Sequence, residues 1–147
     1  MRTIEAVATT SGSRDRVWAL LADASAWTRW GSWSEVTVEG GIPQRLGAVR
    51  VLVRRPFRTR ERITEWEPGE RFGYEVIGGL RVRGYQATVT LEDGPAGGTT
   101  IRWRSTYEHA GPLTALMLRL AVREACRRLA KAASASEVDA SDRRAAP

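Results

Sequence analysis

The 147-residue chain contains one cysteine, one histidine and, among its 23 basic residues, one lysine. With Cys126 alone no intrachain disulfide can form, which fits a reducing compartment. Its setting among alanine and leucine reads as a small buried thiol rather than a nucleophile. With His109 alone there is no material for a histidine-based metal site or a Ser-His-Asp triad. No apolar run approaches the ~20 residues of a membrane span, and Glu5 interrupts the start where a signal peptide would need an apolar core. These absences lead to the expectation of a cytoplasmic protein with no membrane span, no metal and no cofactor. Gly78-Gly79 and the run Gly94 to Gly98 lack the strand-to-helix context and the Lys-Ser/Thr of a phosphate loop, and read as hairpin glycines.

The net charge of +6 and the pI near 10.6 raise nucleic acid as a partner, since clustered cations release counterions from phosphates. The near-total preference for arginine points instead to a coding bias. The arginines are spread over strands, turns and the last helix, with no helix-turn-helix, zinc-ligand or RNA-binding strand motif beside them, so nucleic acid is set aside. An apolar content of 42% is that of a globular chain with room for one substantial core. One domain is expected over residues 1–133, followed by a frayed polar tail over 134–147.

Alternation of apolar and polar residues predicts a strand from Arg2 to Thr9. Ser13 is placed as a helix cap with Asp15 in the first turn, ahead of Val17, Trp18, Leu20 and Leu21. A second short helical turn follows at Asp23 to Trp30. Strands are then expected around Val36 and Val38, Val49 to Val53, Phe57 to Trp66, Phe72 to Val76, Tyr85 to Leu91 and Ile101 to Tyr107, separated by turn residues. Their short connections imply antiparallel neighbours and a meander. Gly111-Pro112 opens a helix of roughly 30 Å running to about Ala133. The architecture expected is α+β: a curved antiparallel sheet wrapped around one long C-terminal helix, with two small helices after the first strand and a cavity between sheet and helix.

Parity selects the residues that face this cavity. Val49, Val51 and Val53 are expected inward, matched by Phe57, Thr59, Glu61 and Ile63, then Phe72, Tyr74 and Val76, then Tyr85, Ala87 and Val89, and last Ile101, Trp103, Ser105 and Tyr107. Arg58, Arg60, Arg62, Arg102 and Arg104 take the outward parity. The long helix is expected to lay Leu113, Leu116, Met117 and Leu120 across the concave face. Trp30 and Trp33 either form the cavity mouth or staple the small helices to the sheet. The ligand-binding candidates are therefore Trp30, Trp33, Val51, Phe57, Thr59, Ile63, Phe72, Tyr74, Ala87, Trp103, Ser105, Tyr107, Leu116, Met117 and Leu120.

Glu61 is the departure on an otherwise apolar stripe. It is either a general acid or base whose pKa burial raises, or a hydrogen-bond anchor for a ligand, or else a carboxylate paired with an arginine at the cavity rim or turned outward on a bulge. Tyr85 is paired with it as the second candidate for proton transfer. Tyr74, Tyr85 and Tyr107 can each orient a ligand carbonyl or simply pack with the hydroxyl at the surface.

The order strand, helix at Ser13 to Leu21, tryptophan tract Trp27 to Trp33, the stretch Thr59-Arg60-Glu61-Arg62-Ile63-Thr64-Glu65-Trp66-Glu67-Pro68 running into Arg71-Phe72-Gly73-Tyr74, and the closing helix resembles the polyketide cyclase/dehydrase and lipid transport family of the START-like (SRPBCC) superfamily. The resemblance covers the chain to about Ala133. It implies a helix-grip fold with a hydrophobic cavity, and a role among lipid carriers, binding proteins and aromatase/cyclases. The first expectation is a carrier for a lipid or polyketide-like molecule, as a monomer or a homodimer. The second is a cyclase using Glu61 and Tyr85 for acid–base chemistry. The resemblance implies an inward arginine for a cyclase, whereas the arginines of the Glu61 strand are read as outward.

Overall fold

A computed structural model describes residues 1–145, with side chains through Ser134. Its elements are β1 (Arg2–Thr10), α1 (Arg14–Ala22), a 3-10 turn (Ala24–Ala26), α2 (Trp27–Trp30), β2 (Glu35–Val38), β3 (Val49–Arg54), β4 (Phe57–Glu67), β5 (Arg71–Gly78), β6 (Val82–Arg83), β7 (Gln86–Asp93), β8 (Thr99–Tyr107), β9 (His109–Ala110) and α3 (Pro112–Ala145). The segment 134–147, expected as a tail, falls beyond Ser134 outside the described side chains and at 146–147 outside the described residues.

Seven strands form one antiparallel sheet in the order β1-β8-β7-β5-β4-β3-β2, the expected meander with β1 folded back beside β8. The β4–β5 ladder shifts register between Arg60 and Glu61 and again between Ile63 and Glu65. Bulges of this kind bend a strand and increase its twist, and here they curl the sheet. Gly73 sits at the second shift, where a Cβ would collide with the Glu65 side chain.

The side-chain alternation holds on most strands. Ile4, Ile63, Phe72, Tyr74, Ala87, Val89, Ile101, Trp103, Ser105 and Tyr107 are buried. Arg60 pairs with Glu39, Arg62 with Glu75 and Arg102 with Glu5 on the outer face. On β3 the expected parity is reversed. Arg50 lies opposite Glu61 and Leu52 opposite Thr59, whereas Val49, Val51 and Val53 lie opposite Arg62, Arg60 and Arg58. Directly opposed residues share a face, so Val51, though buried, belongs to the outer face, and Arg50 and Leu52 point inward.

α1 begins at Ser13, whose hydroxyl accepts from the Arg16 amide. Its last carbonyls lack helical partners, and side chains supply them. Trp30 Nε1 donates to the Leu20 carbonyl, Trp27 Nε1 to that of Leu21, and the Gln44 amide to those of Leu21 and Ala22. The tryptophan tract therefore staples α1 to the sheet.

α3 seats on β1 and β8 through Leu118, Val122, Ala125, Cys126, Leu129, Ala130 and Ala133, all buried. Four of these seven are small, which lets the helix axis approach closely. Gly12 completes the fit: a Cβ there would stand 2.9 Å from that of Ala133. Thr10 and Ser134 then join their hydroxyls at 2.7 Å.

The expected helix face is overturned, because Leu113, Leu116, Met117 and Leu120 are 72%, 49%, 36% and 55% exposed. These four fall on the stripe of Glu124, which reaches across to Arg54 at the end of β3 at 3.4 Å. At one turn per 3.6 residues, the stripe looks over the gap toward the β3–β4 hairpin. Phe57, at the hairpin and of inward parity, is 36% exposed on the other side of that gap.

This seating makes a prediction about stability. Leu129→Ala, at a fully buried position, should cost about 2–5 kcal/mol in urea unfolding. Leu113→Ala should stay within about 0.5 kcal/mol. The reverse ranking would place the wrong face of α3 against the sheet.

Candidate functional site

The interior of the grip is built on a buried ion pair. Arg50 Nε and Nη2 donate to the same Glu61 oxygen, Oε1, at 3.0 and 2.7 Å, and Nη1 donates to the Gln44 carbonyl at 3.1 Å. The guanidinium lies 3.8 Å from the centroid of the Trp27 ring, with Tyr74 and Phe72 at 5.1 and 5.2 Å. A desolvated cation stacked on indole gains about 2 kcal/mol. The arginine is thus held on an edge by the carboxylate and the amide, and on a face by aromatic rings.

Glu61 is only partly consumed by this pair. Both hydrogen bonds go to Oε1, and the side chain keeps 10% of its exposure. Burial pushes its pKa above the ordinary carboxylate range, against the opposing charge and hydrogen bonds of Arg50. Desolvation therefore outweighs the attraction of the arginine.

Beyond the ion pair lies an aromatic wall. Trp103 packs edge-on against Trp27, Trp30 and Tyr74, with centroids 6.2 to 6.4 Å apart, and Tyr74 faces Tyr85 at 6.5 Å. The Tyr85 hydroxyl donates to Ser105 Oγ at 2.8 Å. Burial raises the Tyr85 pKa to about 12 and raises that of Tyr74 as well, so both hydroxyls are neutral in the physiological range. Trp103 Nε1 is buried with no well-formed hydrogen bond among the described residues, and the Tyr74 hydroxyl is the group that feels its N–H. A buried N–H left without a well-placed acceptor costs roughly 1–3 kcal/mol.

The structure brings together Glu61, Ile63, Phe72, Tyr74, Tyr85, Ala87, Trp103, Ser105 and Tyr107 on the inner face of the sheet. Trp30 is buried beside Trp103, and half-buried Trp33 packs tilted against Trp27 and edge-on against Trp30, at 5.2 and 5.7 Å. Thr59 is half-buried further along β4, and Phe57 sits at the open hairpin end. Val51 is excluded by its outward parity. Leu116, Met117 and Leu120 stand on the exposed stripe of α3 and not in the interior. Sequence reasoning missed Arg50, Gln44 and Leu52, and gave Trp27 no role in the site. The signal for Arg50 was available, since a buried Glu61 requires a counter-ion at an alternating position on a neighbouring strand. Among the described residues no group of three or more His, Cys, Asp or Glu could hold a metal ion, and no helix is long and apolar enough to cross a membrane.

The family model described as polyketide cyclase/dehydrase and lipid transport matches residues 1–136, and the chain belongs to this family. Solved structures share its helix-grip fold. The protein XoxI from Bacillus cereus is 18% identical with a TM-score of 0.75, over 90% of this chain and 95% of that one. A Thermobifida fusca protein is 22% identical with a TM-score of 0.73, over 90% and 93%. The Aha1 protein from Colwellia psychrerythraea, solved as a dimer, is 13% identical with a TM-score of 0.75, over 91% and 97%. At these identities the likeness is one of fold. No curated protein matches the sequence.

Two outcomes test the ion pair. Glu61→Gln strands the charge of Arg50 and should cost about 3–5 kcal/mol, whereas the double change Arg50→Met/Glu61→Leu should unfold near the wild-type midpoint. The pH dependence has a definite sign. Folded Glu61 binds its proton more tightly than the unfolded carboxyl, so this group makes stability fall as pH rises from the ordinary carboxylate range to its raised folded value. That segment of slope should be missing from Glu61→Gln; a stability curve unchanged there would refute the raised pKa.

Proposed function

We propose that the protein binds a hydrophobic small molecule, lipid or polyketide-like, between the inner face of the sheet and α3, as a carrier or binding protein. The observation that carries this reading is the aromatic interior in which the Trp103 indole N–H has no well-formed hydrogen bond and only the Tyr74 hydroxyl to interact with. A ligand carbonyl or hydroxyl would supply a better acceptor, and the neighbouring rings would contact an apolar body. The exposed leucines of α3 facing Phe57 give such a ligand an apolar way in. Burying about 300 Å² of apolar ligand gives about 7 kcal/mol gross, from which association costs subtract, and micromolar affinity follows.

A cyclase-type enzyme is the second reading, and inward Arg50 favours it where the outward arginines of β4 did not. Against it, Arg50 is fully buried and already committed to Glu61, Gln44 and Trp27. Its role is to hold Glu61 in place. A general acid or base would have to be the free oxygen of Glu61 or the Tyr85 hydroxyl.

Native mass spectrometry of the purified full chain, incubated with lipid and polyketide extracts, should show a retained apolar molecule that an apolar fluorescent dye displaces. Retention of nothing, with no dye bound, would remove the binding reading. Tyr85→Phe separates the two roles: it should change the affinity of a carrier by less than about tenfold, but lower the turnover of a cyclase by about 10²-fold.

A further inference from the structure

A surface cleft of about 360 Å³ lies between α2 and the second half of α3, lined by Arg29, Trp30, Arg127, Arg128, Lys131 and Ala132. Four of these six residues are cations and none is acidic. The outer face of the sheet treats its arginines differently, pairing Arg60, Arg62 and Arg102 with glutamates at 2.6 to 2.8 Å. Among the described residues of the cleft only Arg128 has a close partner, Glu124 at 2.8 Å, and Glu124 is shared with Arg54. Arg29 stands 3.8 Å from an exposed Asp23. Arg127 and Lys131 are exposed and have no acidic partner within 4.0 Å among the described residues. Among the described residues positive charge is therefore left uncompensated where the surface is concave, and a concave surface focuses its field.

The local geometry fits a compact anion. Arg127 and Lys131 are one helical turn apart, about 6 Å of rise, with Arg128 beside them on the same wall. Arg29 faces them from α2. Trp30, 5% exposed, also lines the cleft and is fixed by its bond to the Leu20 carbonyl at 3.0 Å. Guanidinium forks engage two oxygens of a tetrahedral oxyanion at once, and a lysine adds a point charge. The volume admits one phosphate with a small substituent and excludes a nucleic-acid duplex. We propose that this cleft binds a phosphate monoester, its oxygens on the arginines and Lys131 and its substituent against Trp30. The source is either the head of an anionic lipid or a soluble phosphorylated metabolite. This site is separate from the interior reading and does not depend on it.

The test uses the full chain and two paired variants. Arg127→Gln/Lys131→Gln removes two charges from the cleft, and Arg119→Gln/Arg123→Gln removes two from the same helix outside it. Titration calorimetry with inorganic phosphate, against chloride at matched ionic strength, should show binding weakened at least about tenfold by the first pair and less than about twofold by the second. Sedimentation with phosphatidylcholine vesicles, with and without phosphatidic acid, separates the sources. Capture by phosphatidic acid that depends on Arg127 and Lys131 assigns the lipid head, and phosphate binding without capture assigns a soluble ligand. Equal losses from both pairs would mean diffuse charge, and no binding of phosphate or of phosphatidic acid vesicles would mean no site; either overturns the proposal. Dye displacement, read separately, reports on the interior.

Discussion

The contact on which the interior is organised is the guanidinium of Arg50, pinned between Glu61 and the Trp27 ring. It sets the parity of β3, since the arginine must face inward to reach its carboxylate. Through Gln44 it fixes the loop before β3 to the end of α1, and through Trp27 it fixes the tract after α1. Such a pair is weak evidence for stability, because well-packed apolar residues could replace it at little cost. Its effect is on specificity: a one-residue slip of β3 would leave Glu61 without its cation and expose Leu52. The arrangement penalises the wrong register more than it rewards the right one.

Most of the fold is legible in the amino-acid order. Regular alternation from Ile4 to Ala8, from Tyr74 to Val76 and from Ile101 to Tyr107 names the inner face of each strand, and glycine-rich turns name the connections. The reading fails where apolar residues occupy both parities. In Val49-Arg50-Val51-Leu52-Val53 three valines outweigh one leucine, so the stripe that looks buried is the outer one, and the residue that decides the matter is charged. α3 fails for a related reason. Its first half is apolar nearly all round, so period alone selects no face; the sheet prefers the side bearing Ala125, Cys126 and Ala133, where close approach is sterically cheap. Leucine marks the other side, and that side is left in water.

The candidate site was legible in its sheet residues and illegible in its supports. Glu61 stood out as a carboxylate on an apolar stripe; it is buried with a raised pKa, and the arginine it pairs with lies in the interior and not at the rim. Gln44 gave no signal, because it lies in a loop and acts through contacts with carbonyls distant in sequence. Family membership sharpens the fold far more than the chemistry, since one grip holds many cargoes. What distinguishes this chain is the polarity placed inside the grip.

The crowding of indoles has an optical side. Trp27, Trp30 and Trp33 stand 4.8 to 5.7 Å apart by centroid, tilted by 49° to 86°, with Trp103 adjoining. Transition dipoles so close and so skewed mix their excited states, and the mixing weakens as the inverse cube of the separation of the rings. The near-ultraviolet circular dichroism of this protein is accordingly the signature of one assembled cluster and not a sum over six scattered chromophores. Because Trp27 carries the guanidinium and Trp30 lines the cleft, the molecule holds a label-free gauge of its own packing at the place where its chemistry is concentrated.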